Sequence, residues 1–118
     1  MDLPRPIPDL LVRLLAAWLQ VLAQPVRIRI IDVLDRQGET SVSDLAEAIA
    51  ETPYNTSQHL SVLLRAGVVR RRRCGRAVLY RLTDRAPLRI YELAAAMLAG
   101  FVGRLGRQFG DDTEAGSR

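Results

Sequence analysis

Two side chains in the 118 residues could offer an imidazole or thiolate ligand, His59 and Cys74. One cysteine excludes an internal disulfide and a multi-thiolate cage, and one His with one Cys falls short of the four ligands of a closed zinc site. No ligand type stands three or four residues from His59, the spacing that pairs ligands on a helix. Nor is there a nucleophile–base pair, a carboxylate dyad or a phosphate-cradling glycine loop. The expectation is a chain that is not an enzyme, with no cofactor and no metal.

The chemistry is concentrated in arginine instead. All 17 basic residues are Arg. Eight of them (Arg65, Arg70, Arg71, Arg72, Arg73, Arg76, Arg81 and Arg85) lie between Thr52 and Arg85 against the single Asp84. That segment is net +7 in a chain of formal charge +4, which leaves −3 elsewhere. Codon bias explains Arg in place of Lys, but it does not explain the clustering. Confined positive charge is the footprint of a polyanion partner.

Beside the arginines, Tyr54, Asn55, Thr56, Ser57, Gln58 and His59 form an unbroken polar run. At the start of a helix seated in a major groove, such residues reach base edges and phosphates, and Asn or Gln can bond adenine bidentately. Gln58 and His59 cannot both face the groove fully, because helical neighbours are about 100° apart. The run Arg70 to Arg73 reads as strand, where alternate side chains point to opposite faces. Arg71 and Arg73, with Arg76 near the tip, are the arginines expected to grip DNA. Cys74 is read as a turn residue.

These side chains need elements to position them. Pro4, Pro6 and Pro8 keep the first residues extended. From Asp9, the expected N-cap, Leu11, Leu14, Leu15, Trp18 and Leu22 recur at helical spacing up to Pro25. A second helix starts at Pro25, with Ile28, Ile31, Val33 and Leu34 as its apolar face and Gly38 just past its end. Ser41 with Asp44 three residues on resembles a capping box, followed by Val42, Leu45, Ala46 and Ile49. Thr52-Pro53 caps and starts the polar helix, which turns Leu60, Leu63 and Leu64 inward and stops at Gly67. Two β-type runs, VVRRRR and AVLYRL, then make a hairpin turning at Cys74-Gly75. A last helix from Pro87 to about Phe109 is rich in Ala and Gly. The order is helix, helix, helix-turn-helix, hairpin, helix, which predicts a mainly α winged helix-turn-helix with an extra helix at each end. Residues 1–110 are read as one domain, and 111–118 as a disordered acidic tail.

The stretches LAQPVRIRIIDVL, SVSDLAEAI, SQHLSVLLRAGVV and RRRRCGRAVLYRL, in order from Leu22 to Leu82, resemble the ArsR/SmtB family of small transcriptional repressors. The resemblance implies a homodimer joined through its first and last helices, bound to operator DNA and released by a small effector. Leu14, Trp18, Met97, Phe101 and Leu105 are the expected interface residues. The metal-sensing motifs are missing: Ser41-Val42-Ser43-Asp44 replaces the thiolate motif, and the last helix has no His and only Glu92 as an acid. A regulator that does not respond to metals is therefore expected, its effector unidentified. The alternative is a winged-helix interaction module acting with a partner regulator. With no leader pattern, and with the apolar run Leu88 to Val102 broken by Arg89 and Glu92, no membrane partner and a cytoplasmic location are expected.

Overall fold

The computed structural model describes residues 1–109, with side chains through residue 106; the expected tail 111–118 lies outside the described residues. They form α1 (Asp9–Leu22), α2 (Pro25–Gln37), β1 (Thr40–Ser41), α3 (Val42–Ala48), α4 (Pro53–Arg65), β2 (Val69–Cys74), β3 (Ala77–Leu82) and α5 (Ala86–Phe109). Two compact units divide at Pro87/Leu88, so that α1 to β3 belong to one and nearly all of α5 to the other.

The helix boundaries follow local chemistry. Pro25 stands at the start of α2, where its missing N–H costs nothing, and the Gln24 side chain accepts from the Val26 N–H at 2.9 Å. Gly38, at φ 77° and ψ −151°, takes a positive-φ backbone open mainly to glycine, and there α2 ends. Ser41 Oγ accepts from the Asp44 N–H at 3.2 Å and Thr52 Oγ1 from the Asn55 N–H at 3.0 Å, which caps α3 and α4. Asp9 is not a cap but the first residue of α1, and Pro8 holds the capping position without a side-chain bond.

The core of the first unit is built from Leu22, Ile30, Ile31, Leu34, Leu45, Leu60, Leu63 and Val69, all at most 2% exposed, with Tyr80 from β3. On α2 the inward residues include Ile30 rather than Ile28, which is exposed. At 100° per residue, Ile28 lies about 140° from the middle of the face that Ile30, Ile31, Val33 and Leu34 share.

The sheet has three antiparallel strands in the order β1-β3-β2, one more than the hairpin expected from sequence. β1 is only Thr40–Ser41, too short for a period-2 signal, yet it pairs Thr40 with Tyr80 and Ser41 with Leu79. Cys74 pairs with Ala77, so the hairpin loop is Gly75-Arg76 and Cys74 is the exposed last residue of β2. Gly75 has φ 62° and Arg76 does not share it, the pattern of a type II′ turn.

α5 runs 24 residues. Its stretch Ala86–Gly106, at mean hydropathy 1.2, is long and apolar enough by length and composition to cross a bilayer, contrary to the shorter run expected from sequence. Leu93, Met97, Leu98, Phe101 and Val102 are exposed.

Candidate nucleic-acid interface

Helix α4 is anchored from behind. Thr56, Leu60 and Leu63 are all 0% exposed and, at i, i+4 and i+7, define its inward face. The sequence places Thr56 among the DNA-facing residues, and the structure corrects this: it is enclosed in the core, its hydroxyl donating to the Thr52 carbonyl at 2.8 Å. The apolar period traced back one turn from Leu60 reaches Thr56, but its polarity argues the other way.

The opposite face carries Tyr54, 75% exposed, with Ser57 and Gln58 also exposed. These three expected residues are brought together on one surface. Continuing at i+3 and i+4, the same face passes through half-buried Ser61 and exposed Arg65, two residues outside the expected set although the spacing points to them. The other two expected residues have partners within the fold. Asn55 is half-buried and its amide donates to Glu51 Oε1 at 2.9 Å. His59 is half-buried and its Nδ1 accepts from Arg27 Nε at 3.2 Å. Burial first, and the Arg27 charge second, hold the imidazole below its ordinary pKa, while Glu51 pulls the other way.

The hairpin sorts its arginines by strand parity. Arg71 pairs with Tyr80 and Arg73 with Val78, and directly paired residues share a face. Arg71 and Arg73 thus continue outward the row that begins with buried Val69. Arg70 and Arg72 stand on the reverse face, where Arg70 is directly opposite Arg81. Arg72 is held there by Glu39, Nε and Nη2 donating to the two carboxylate oxygens at 2.7 and 2.8 Å. That bidentate bond is the first cause holding the Glu39 carboxyl below the usual carboxylate range. Arg71, Arg73 and Arg76 are exposed and have no acidic partner among the described residues. Arg71, Arg72, Arg73 and Val78 line an open depression.

The expected interface residues divide by exposure. Leu14, Met97 and Phe101 are exposed, whereas Trp18 and Leu105 are half-buried within the chain itself. Leu10, Val12 and Leu19 on α1, and Leu93, Leu98 and Val102 on α5, are further exposed apolar residues outside the expected set. On α5, a methyl added at Gly106 would meet nothing within 4 Å, and at Gly100 only the Arg104 side chain at 3.7 Å. Nothing described in this chain therefore requires glycine at either position. Among the described residues, no three His, Cys, Asp or Glu come together as metal ligands.

Residues 22–72 match a helix-turn-helix domain family. The chain is 42% identical over 81 residues to the transcriptional repressor SmtB of Mycobacterium tuberculosis, an alignment that takes in 69% of this chain and 59% of SmtB. It spans about three-fifths of the length of that relative. The crystal structure of M. tuberculosis Rv0081 superposes with a TM-score of 0.73 at 34% identity, covering 82% of this chain and 97% of that one. A homodimeric winged helix-turn-helix DNA-binding domain from Mycobacterium bovis, 26% identical, superposes at 0.68 over 86% of this chain and 95% of its own. Together with the four matching stretches and the winged architecture, these likenesses show that the chain belongs to the ArsR/SmtB family of helix-turn-helix transcriptional regulators.

Proposed function

We propose that the protein is a homodimeric repressor that binds an inverted-repeat operator in double-stranded DNA and does not respond to metal ions. The observation that carries this reading is the outward face of α4, Tyr54, Ser57 and Gln58 with Ser61 and Arg65, packed from behind by buried residues, together with Arg71 and Arg73 of the hairpin, which have no acidic partner among the described residues. Gln58 reads a base edge, Ser57 and the helix N-terminus meet phosphate, and Arg71, Arg73 and Arg76 supply sequence-independent grip. Residues 1–110 act together as the binding and dimerisation domain. The second copy covers the exposed apolar faces of α1 and α5, and α5 serves this interface rather than a bilayer.

Resistance to metals is supported by the occupation of the ligand positions. His59 Nδ1 already accepts from Arg27, and Ser41 Oγ already caps α3. The protein acts in the cytoplasm, where its chromosomal partner lies, and any effector that releases it is an organic ligand or a protein.

The test is selection of bound duplexes from a random pool, followed by a salt titration. Two related half-sites are expected, about one helical turn apart. If the dimer neutralises roughly 6–10 phosphates, affinity should fall about 10³–10⁵-fold between 50 and 200 mM salt. Recovery of no preferred sequence would favour the protein-interaction alternative. Micromolar zinc, cadmium, nickel or arsenite should leave operator affinity unchanged; a tenfold loss reversed by chelator would remove the metal-independent part alone. Phe101→Glu should convert the dimer to monomer or aggregate by light scattering, and an unchanged dimer mass would take α5 out of the interface.

A further inference from the structure

Arg27 makes two bonds in different directions. Its Nη1 donates to the Val21 carbonyl at 3.3 Å, and its Nε donates to His59 Nδ1 at 3.2 Å. Val21 lies in the last turn of α1, where carbonyls lack helical partners and α1 supplies no basic residue of its own. A guanidinium there satisfies an orphan acceptor and complements the helix dipole. His59 lies on α4, one position after Gln58. One side chain of α2 therefore joins the end of the proposed dimerisation helix to the proposed reading helix.

The second bond depends on the proton state of the ring. Arg Nε always carries its hydrogen, so Nδ1 must be bare and the neutral ring holds its proton on Nε2. A second proton can go only to Nδ1. It removes the acceptor and leaves two cations about 3.2 Å apart. The charged groups facing the ring are Arg27 from α2 and Glu51 from the segment before α4. Glu51 is already engaged by the Asn55 amide.

We propose that Arg27 is the positioning residue that ties α4 to α1 through His59, so that operator reading requires a neutral His59 and fails on acidification. This rests on the DNA-reading role of α4 argued above. A protonated His59 would raise affinity for any duplex by its charge, so the decisive quantity is the ratio of operator to scrambled-duplex affinity. Because burial and Arg27 hold the imidazole below its ordinary value of 6.5, the loss begins only as pH falls beneath that value.

The experiment uses the full chain, the duplex recovered by selection and a scrambled duplex of equal length, with affinities measured from pH 7.5 to 5.5. The wild-type ratio should fall by about tenfold, on the scale of one lost charge-assisted hydrogen bond. His59→Gln keeps an acceptor that does not titrate; it should hold the neutral-pH ratio and give a flat profile. Arg27→Ala should lower the ratio at pH 7.5 with the dimer mass unchanged. Equal falls in wild type and His59→Gln, or no fall in wild type, would overturn the proposal. A second arm follows the His59 ring by NMR in the free dimer, where Arg27→Ala should raise its titration midpoint. If the wild type prefers no duplex at pH 7.5, the DNA-reading role itself fails, and an unchanged NMR midpoint would then separately overturn the link.

Discussion

Helix α4 and the hairpin present polar surface in different ways. α4 is anchored: three residues of its inward face are fully buried, its first turn is capped by Thr52, His59 is tied to α2 and Asn55 to Glu51 in the preceding loop. On β2 only Val69 is buried, and the five residues after it are exposed, with Arg72 alone tethered to an acid. Reading a base edge needs a donor and acceptor held in a narrow geometry, whereas gripping phosphate needs only charge on a flexible stem. If the protein reads DNA as proposed, this difference predicts specificity from α4 and affinity from the wing.

The comparison breaks first if the platform is removed. Leu60→Ala should destabilise the protein by about 2–5 kcal/mol, the range for a buried Leu that leaves a cavity, read as a lower urea midpoint. A shift below about 1 kcal/mol would mean that α4 is not held from behind. Gln58→Ala, on the same helix but exposed, should leave that midpoint alone and relax preference at one base pair per half-site by about 1–3 kcal/mol. Equal losses on operator and random DNA would move Gln58 into the class of the wing.

On the wing, Arg73→Ala should weaken all duplexes alike and reduce the slope of log affinity against log salt by roughly one for each phosphate left unneutralised. A change in base preference without a change in slope would blur the division between the two regions. The smallest effect belongs to Glu39→Gln. Its carboxyl is lowered in the fold from 4.5, chiefly by Arg72, so its contribution to stability is present above that value and disappears as pH falls through the lowered one. Thermal melts at pH 7 and pH 3 should therefore differ less for the variant than for the wild type. The freed Arg72 should add slightly to binding of any duplex, and a gain confined to the operator would count against the division.

Much of this molecule is legible in its residues. Capping at Ser41 and Thr52, the Pro starts of α2 and α4, the positive-φ Gly38 and the β-type Arg and Val runs are interactions between near neighbours, and near neighbours are visible in a linear string. The basic segment is likewise a property of composition. Helical period alone also sets Leu60 and Leu63 inward.

What the tertiary structure decided are interactions between residues far apart in sequence. Glu39 selects Arg72 from four consecutive arginines because β1 joins the sheet beside β3, and a two-residue strand has no signature of its own. Thr56 goes inward although it is polar, since its hydroxyl is satisfied by the preceding turn and burial then costs little. Arg27 reaches His59 across 32 positions because α2 packs on α4. A run of six polar residues reads in sequence as one surface. Packing divides it into an outward face of three, two tethered flanks and one buried hydroxyl, because a helix turned toward a core can show solvent only part of its circumference.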